Sequence, residues 1–228
     1  DPSASEPSVL IASTPSGQTG GSVGDNGADF VGITNWINSK PLTVESLLGK
    51  VVLVDFWTYT CVTCIRTMPF LRNWQEKYAS EGLVIVGVHA PEFEFEKISA
   101  NVASATAEFG LDYPVAQDDD FTTWRGYKNR SWPAKYLLDK DGIVRYTHIG
   151  EGGYDETELA IRELLRDAGS DLRHIERNED PGPEFVARAY GVIDPQKRIT
   201  REFYGGWNRN ATPNGLYIAH PNYYNGPD

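Results

Sequence analysis

The sequence holds only two cysteines and one methionine among 228 residues. Both cysteines fall in one stretch, "VVLVDFWTYTCVTCIRTMPF" at residues 51–70, which leaves none for a structural staple elsewhere. Their number therefore assigns no redox compartment. No segment approaches the roughly 20 apolar residues needed to cross a bilayer as a helix. Positive charge is also scarce. Against 32 Asp and Glu there are 21 Lys and Arg, a formal net charge of −11 that no basic cluster offsets, which argues against nucleic acid and anionic membranes as partners. The four histidines, His89, His148, His174 and His220, stand apart from one another, so the cysteine pair lacks the further ligands of a zinc site. "DKDG" at 139–142 lacks the later ligands of a calcium loop and reads as a hairpin turn, and "GEGG" lacks dinucleotide-loop spacing.

What remains is a globular composition, 40% hydrophobic and 12% aromatic, enough for one domain of ordinary size with extensions. Residues 1–29 are dominated by Ser, Gly, Pro and Asp and read as a flexible tether. The chain opens at Asp1, as expected after removal of an export signal or anchor, or after trimming. "VVLVDFW" and "LVIVGVHA" are continuous apolar runs, the pattern of parallel strands covered on both faces. Between them Ile65, Met68, Leu71, Trp74 and Tyr78 recur at helical spacing from a start near Cys61, giving a right-handed crossover unit. "FEFEKISANVASATAEFG" predicts a second helix closed by Gly110. "YPVAQ" predicts a short strand and "FTTWRGY" an aromatic turn or helix, with "QDDD" before it as a solvated acidic cap. "AKYLLD" and "IVRYTHIG" predict a hairpin, followed by an amphipathic helix that buries Leu159, Ile161, Leu164 and Leu165. The domain is expected over 30–170. Residues 171–228 are Pro-, Gly-, Asn- and aromatic-rich and read as an irregular or strand-like extension.

The chemistry lies in the cysteine pair. A thiolate is the species that attacks a disulfide, and a free cysteine near pKa ~8.5 supplies little of it at neutral pH. A helix beginning at Cys61 presents unpaired backbone N–H groups and a positive dipole end to that sulfur, and Cys-x-x-Cys sites reach about 3.5–7.5. Cys64, one turn inward, is the shielded partner that displaces a substrate from Cys61 once a mixed disulfide has formed. Asp55, six positions before Cys61, sits in a buried strand where desolvation raises its pKa. It either accepts the proton of Cys64 through a water molecule or is a carboxylate satisfied by structural hydrogen bonds.

Asp55, Trp57, Cys61, Cys64 and Pro69 stand at the relative positions used by thioredoxin-fold proteins. "DFWTYTCVTCIR", "VGVHAPEFEFEK", "YPVAQDDDFTTWRGYKNRSWPAKYLLDKDG" and "HIGEGGYDETE" resemble, in order, segments of the thioredoxin-like domain of DipZ-type thiol-disulfide interchange proteins, related to the TlpA and redoxin group. The resemblance implies an α/β thioredoxin fold, a central mixed sheet flanked by helices, and an exported thiol-disulfide oxidoreductase with no cofactor and no metal beyond the cysteines. It implies a cis Trp132-Pro133 peptide facing the sulfurs and a backbone there that binds the partner. Pro69 would kink the first helix. Trp57 and Trp132 are candidates for an apolar docking rim or for buried aromatic packing, and Glu92, at the carboxyl end of the second buried strand, for a modulator of the sulfurs or a solvated loop carboxylate. Partners would be protein thiols and disulfides, with a separate membrane electron donor, because the membrane part of DipZ is not in this sequence. "TREFYGGW" resembles the start of the module that follows in DipZ proteins. Phe203, Tyr204, Trp207, Tyr217 and Tyr223 are expected to pack on the domain or to mark a truncated module.

Two other functions stay open at this point. Thr58, three positions before Cys61, suggests a peroxiredoxin-like peroxidase, although Val54 occupies the place of that family's proline. A copper-binding or metallochaperone module would use both thiolates and a histidine such as His148.

Overall fold

Residues 18–177 are described in a computed structural model. The first described elements are β1 (Thr19–Gly20) and β2 (Asn26–Gly27), a small parallel pair, and then β3 (Asn35–Ile37). The first apolar run is β4 (Val51–Trp57), followed by α1 (Val62–Tyr78) and the second run, β5 (Leu83–His89). Next come α2 (Ser99–Glu108), β6 (Val115–Gln117), α3 (Thr122–Gly126), β7 (Ala134–Leu138), β8 (Val144–Ile149) and α4 (Tyr154–Asp167). One six-stranded sheet has the order β3-β6-β5-β4-β7-β8. Strands β4, β5 and β6 are parallel, whereas β3, β7 and β8 join antiparallel, so the sheet is mixed as expected.

Side-chain alternation along β4 divides the core in two. Val51, Leu53 and Trp57 pack with Cys64, Met68, Leu71, Trp74 and Tyr78 of α1 and with Ala160, Ile161, Leu164 and Leu165 of α4. Val52, Val54 and Phe56 pack on the opposite face with Trp124, Tyr127, Tyr136 and residues of the N-terminal segment. All seven residues of β4 are buried, which is why its sequence is a continuous apolar run rather than an alternating one. Pro69 lies inside α1, which continues to Tyr78. Tyr78 ties that helix to α4 by donating to Glu158 at 2.6 Å and accepting from Arg162 at 3.0 Å.

Three local expectations change. Of the stretch read as a tether, residues 18–29 are described, and they bond to the β7–β8 hairpin: Gly24 N–H donates to Val144 O and Gly27 N–H to Gly142 O, each at 2.8 Å. Glycine there serves close approach, because a Cβ at Gly27 would run into Leu138. Residues 1–17 and 178–228, including the aromatic tail from Phe203 to Tyr223 and His220, lie outside the described residues.

The expected helix after β5 is two pieces. A 3-10 turn, Glu94–Lys97, precedes α2, and Ile98 between them is extended at φ −74°, ψ 109°. The break follows from competing bonds: Glu96 takes the backbone N–H groups of Glu92 and Phe93, and Gln117 Nε2 donates to Lys97 O at 2.7 Å.

The acidic cap is present but not solvated. Asp118 is fully buried and accepts from the N–H groups of Thr122 (2.7 Å), Thr123 (3.2 Å) and Trp124 (2.8 Å) at the start of α3. Burial raises its carboxyl pKa and these three bonds hold it back. Asp118→Ala leaves the donors unpaired. We expect a loss of about 2 kcal/mol, read as a lower denaturant midpoint at unchanged slope.

Candidate active site

The carboxyl ends of β4 and β5 and the start of β7 meet at one edge of the sheet, because β4 pairs parallel with β5 and antiparallel with β7. The chain leaving β4 at Trp57 makes a turn in which Cys61 N–H donates to Thr58 O at 3.2 Å, and then enters α1. Cys61 is the N-cap residue of that helix: its Sγ accepts from the backbone N–H of Cys64 at 3.2 Å and lies 3.2 Å from Thr63 Oγ1. The sulfur therefore sits against the unpaired donors and the positive end of α1, as the sequence led us to expect. Cys61 and Cys64 are joined by a disulfide with Cα atoms 5.2 Å apart. Cys61 is partly exposed and neighbouring Val62 is 60% exposed, while Cys64 is completely buried. One sulfur is reachable and the other is shielded.

Asp55 is an odd-numbered position of β4, so it shares the face of Leu53 and Trp57 with Cys64. It is 1% exposed. Across the ladder its register partner is Lys135, itself completely buried, with Nζ 3.3 Å from Asp55 Oδ1. Neither atom makes a hydrogen bond to another group among the described residues. Burial pushes the Asp55 carboxyl above its ordinary value, and the Lys135 charge pulls it part of the way back. Burial raises the phenol pKa values of Tyr113 and Tyr154, and the Asp55 charge adds to both, after that of Glu151 in the case of Tyr154. Lys135 also pairs in register with His148 of β8. Burial, and then the lysine charge, lower the His148 pKa.

The Trp132-Pro133 peptide is cis and directly precedes β7 at the same edge. Pro133 O accepts from Gly150 N–H at 2.8 Å. Trp132 is half-buried against Trp124, with ring centroids 4.6 Å apart. Trp57 does not belong to a rim. It is 1% exposed, its indole lies over Gly87, where a Cβ would come within 3.0 Å of Nε1, and it meets the His89 ring edge-on at 5.0 Å. An apolar residue at the end of a fully covered strand is packed, so of its two readings Trp57 follows that of buried aromatic packing.

Glu92 is exposed, and the carboxylate that its segment turns inward is Glu96. Glu96 is completely buried and accepts from Thr58 Oγ1 (2.6 Å), Thr60 Oγ1 (2.7 Å), Thr60 N–H (3.4 Å), Phe93 N–H (2.8 Å) and Glu92 N–H. Burial alone would raise its pKa, but the bonds from Thr58, Thr60, Phe93 and Glu92 outweigh it and the value falls. Thr58 spends its only proton on Glu96, so its 3.3 Å contact with His89 Nε2 is a bond donated by the ring. His89, fully buried, is lowered to about 4 chiefly by desolvation and is neutral at pH 7.

Lys135 and Glu96 were not singled out from the sequence. A lone lysine inside the apolar "AKYLLD" was the available signal for the first. Nothing in "PEFEFEK" distinguishes the glutamate that turns inward from its neighbours. Thr58 is committed to Glu96 and buried, which removes the hydroxyl on which a peroxidase reading relied. Among the described residues no three His, Cys, Asp or Glu side chains are grouped to hold a metal ion, and His148 does not join the cysteines in such a group.

A Cys-x-x-Cys disulfide at the head of a helix, a buried aspartate on the same face and a cis proline beside it, on this mixed sheet, define a thioredoxin-like thiol-disulfide oxidoreductase. The Redoxin sequence profile matches residues 23–165, and the chain belongs to that family. It is 44% identical over 164 residues to protein DipZ of Mycobacterium bovis, covering 71% of this chain and 24% of that protein. It is 29% identical over 138 residues to thiol-disulfide oxidoreductase YkuV of Bacillus subtilis, covering 60% of this chain and 92% of the relative. Among solved structures, that of a thioredoxin-like protein in the oxidised form superimposes with a TM-score of 0.57 at 28% identity, covering 61% of this chain and 94% of the other. The chain thus spans about a quarter of the length of DipZ.

Proposed function

We propose that the protein acts outside the cytoplasm as an exchanger of electrons with protein disulfides, using Cys61 as nucleophile, Cys64 as resolving thiol and Asp55 as proton carrier. The observation that carries this reading is the unequal exposure of the two sulfurs at the head of α1, over a buried carboxylate whose pKa is raised. In the reducing direction the Cys61 thiolate attacks one sulfur of a partner disulfide. That S–S bond breaks, a Cys61–partner bond forms, and the released partner thiolate takes a proton. Cys64 then gives its proton to Asp55 and attacks Cys61, releasing the second partner thiol. Two electrons and two protons pass to the partner, and the protein is left as the Cys61–Cys64 disulfide. A separate dithiol donor, proposed to be membrane-bound, returns the pair to its reduced form. The backbone at Trp132-Pro133, with Trp132 beside it, is the surface along which the partner chain aligns.

The Lys135 charge opposes the rise that burial imposes on the Asp55 carboxyl. This is the balance a group needs when it must accept a proton and give it up again near neutral pH. The test is stopped-flow reduction of a disulfide substrate such as insulin by the reduced protein. The double variant Asp55→Asn/Lys135→Met, which leaves no buried charge behind, should slow release of the second thiol by about 10²-fold while the first attack keeps its rate. If the reduced protein transfers no electrons to disulfides at all, the function is wrong. If the double variant resolves at the native rate, only the proton role is. Fractionation of the native host would place the protein inside or outside the cytoplasm.

A further inference from the structure

The redox chemistry just described makes no use of Glu96, although this carboxylate is as buried as the shielded sulfur and accepts five hydrogen bonds. Its partners come from two segments. Thr58 and Thr60 belong to the turn that delivers Cys61 to the head of α1, and the Glu92 and Phe93 amides belong to the segment that follows β5. Thr60 is bonded directly to Cys61, and it holds Glu96 through both its hydroxyl and its backbone N–H. The carboxylate is therefore a clamp between two loops, one of which ends in the attacking sulfur.

Charge follows from the same contacts. Every hydrogen bond into Glu96 is donated by a neutral group, so the site solvates an anion without neutralising it. Among the described residues no cation is bonded to it. His89 from β5 is linked to it through Thr58 and feels its charge, but burial outweighs that and the ring is neutral at pH 7. Asp119, beyond β6, lies close enough to act on His89 and is itself acidic. On its own segment Glu92 and Glu94 are acidic, and Lys97 is paired with Glu94 at 2.9 Å.

We infer that Glu96 is a positioning residue for the redox pair: it fixes the 58–60 turn beneath Cys61 and holds a permanent negative charge beside it, which biases the protein toward the reductant role. A fixed anion near Cys61 opposes formation of its thiolate and so counters part of the effect of the helix. Because the reduced state gains stability from that thiolate, weakening it favours the disulfide and makes the dithiol a better electron donor. This inference rests on the function proposed above and assigns its direction.

The experiment compares the wild type with Glu96→Gln and Glu96→Asp. The readouts are the equilibrium of the Cys61–Cys64 pair with reduced and oxidised glutathione, and the pH profile of Cys61 alkylation by iodoacetamide. Glu96→Gln removes the charge. It should lower the alkylation midpoint by about half a pH unit, giving about threefold more thiolate below the midpoint, and should move the glutathione equilibrium toward the dithiol. Glu96→Asp retains the charge and should restore the wild-type midpoint. Should Glu96→Gln fail to fold, Thr60→Val carries the test with the opposite sign: it withdraws one donor, leaves the anion less compensated and raises the midpoint. Native alkylation profiles and glutathione equilibria in the variants that fold would overturn the inference. A wild type that does not equilibrate with glutathione would instead overturn the proposed function.

Discussion

Lys135→Met should cost about 3–5 kcal/mol of stability at neutral pH, and adding Asp55→Asn to it should return most of that loss. Both members of the pair are removed from water, with side chains 0% and 2% exposed, and among the described residues each is the other's one ion-pair partner. Deleting the lysine strands the aspartate in an apolar layer between β4 and the helices. Asp55 has a folded-state pKa raised by burial, and Lys135 supplies the influence that lowers it, so without the lysine the folded value climbs further while the unfolded value stays near 3.9. An acid with a raised folded pKa contributes full stability below its unfolded value. It loses stability as pH climbs from there through the folded value, because the unfolded chain ionises first. The deficit of Lys135→Met should therefore be largest at neutral and alkaline pH and vanish or reverse near pH 4. There the wild type itself carries a buried lysine opposite a neutral acid. Chemical denaturation of the four proteins of the cycle between pH 4 and 8 measures this. Equal losses in the single and double variants would show that packing rather than charge holds the site together.

The same pair marks a limit of what could be read from the sequence. Asp55 was legible because a carboxylate inside "VVLVDFW" violates the pattern of a covered strand, and such violations concentrate at functional sites. Its partner was not, since Lys135 becomes its neighbour only through the register of β4 against β7, about eighty residues apart in the chain, and register is a tertiary property. The parallel strands, α1, the hairpin and α4 were legible from apolar runs and helical spacing, signals that repeat over many residues. The edge strand β3 spans three residues, and the break at Ile98 depends on side-chain bonds from Glu96 and Gln117, so neither leaves a periodic trace. The glycine-rich residues 18–29 show the reverse error. Composition alone reads as a linker, but glycine also lets backbone lie against backbone, and here the stretch is bonded to β8 and to the turn that precedes it. Trp57 and Trp132 looked alike as rim candidates. Only strand position separates them, since Trp57 ends a covered strand and Trp132 precedes one.

Cys64→Ser should abolish multiple turnover while leaving the first attack intact, so that partner chains accumulate as disulfides to Cys61. The geometry makes this specific. Cys61 is the partly exposed sulfur that receives the donors at the head of α1, and removing the Cys64 thiol does not remove the Cys64 backbone N–H that bonds it at 3.2 Å. Serine also preserves the size of a side chain that is fully buried among Trp57, Met68 and Leu71, so the variant should fold. What is lost is only the intramolecular nucleophile. Resolution of the mixed disulfide then depends on thiols from solution, which lack the effective concentration of a group held one helical turn away. Non-reducing electrophoresis after mixing the reduced variant with a disulfide-bonded protein should show one adduct per chain, released by dithiothreitol, and Cys61→Ser should show none. Adducts of equal yield through either cysteine would mean that both sulfurs are accessible in solution. The division of labour between an exposed nucleophile and a buried resolver, on which the function proposed for this site depends, would then fail.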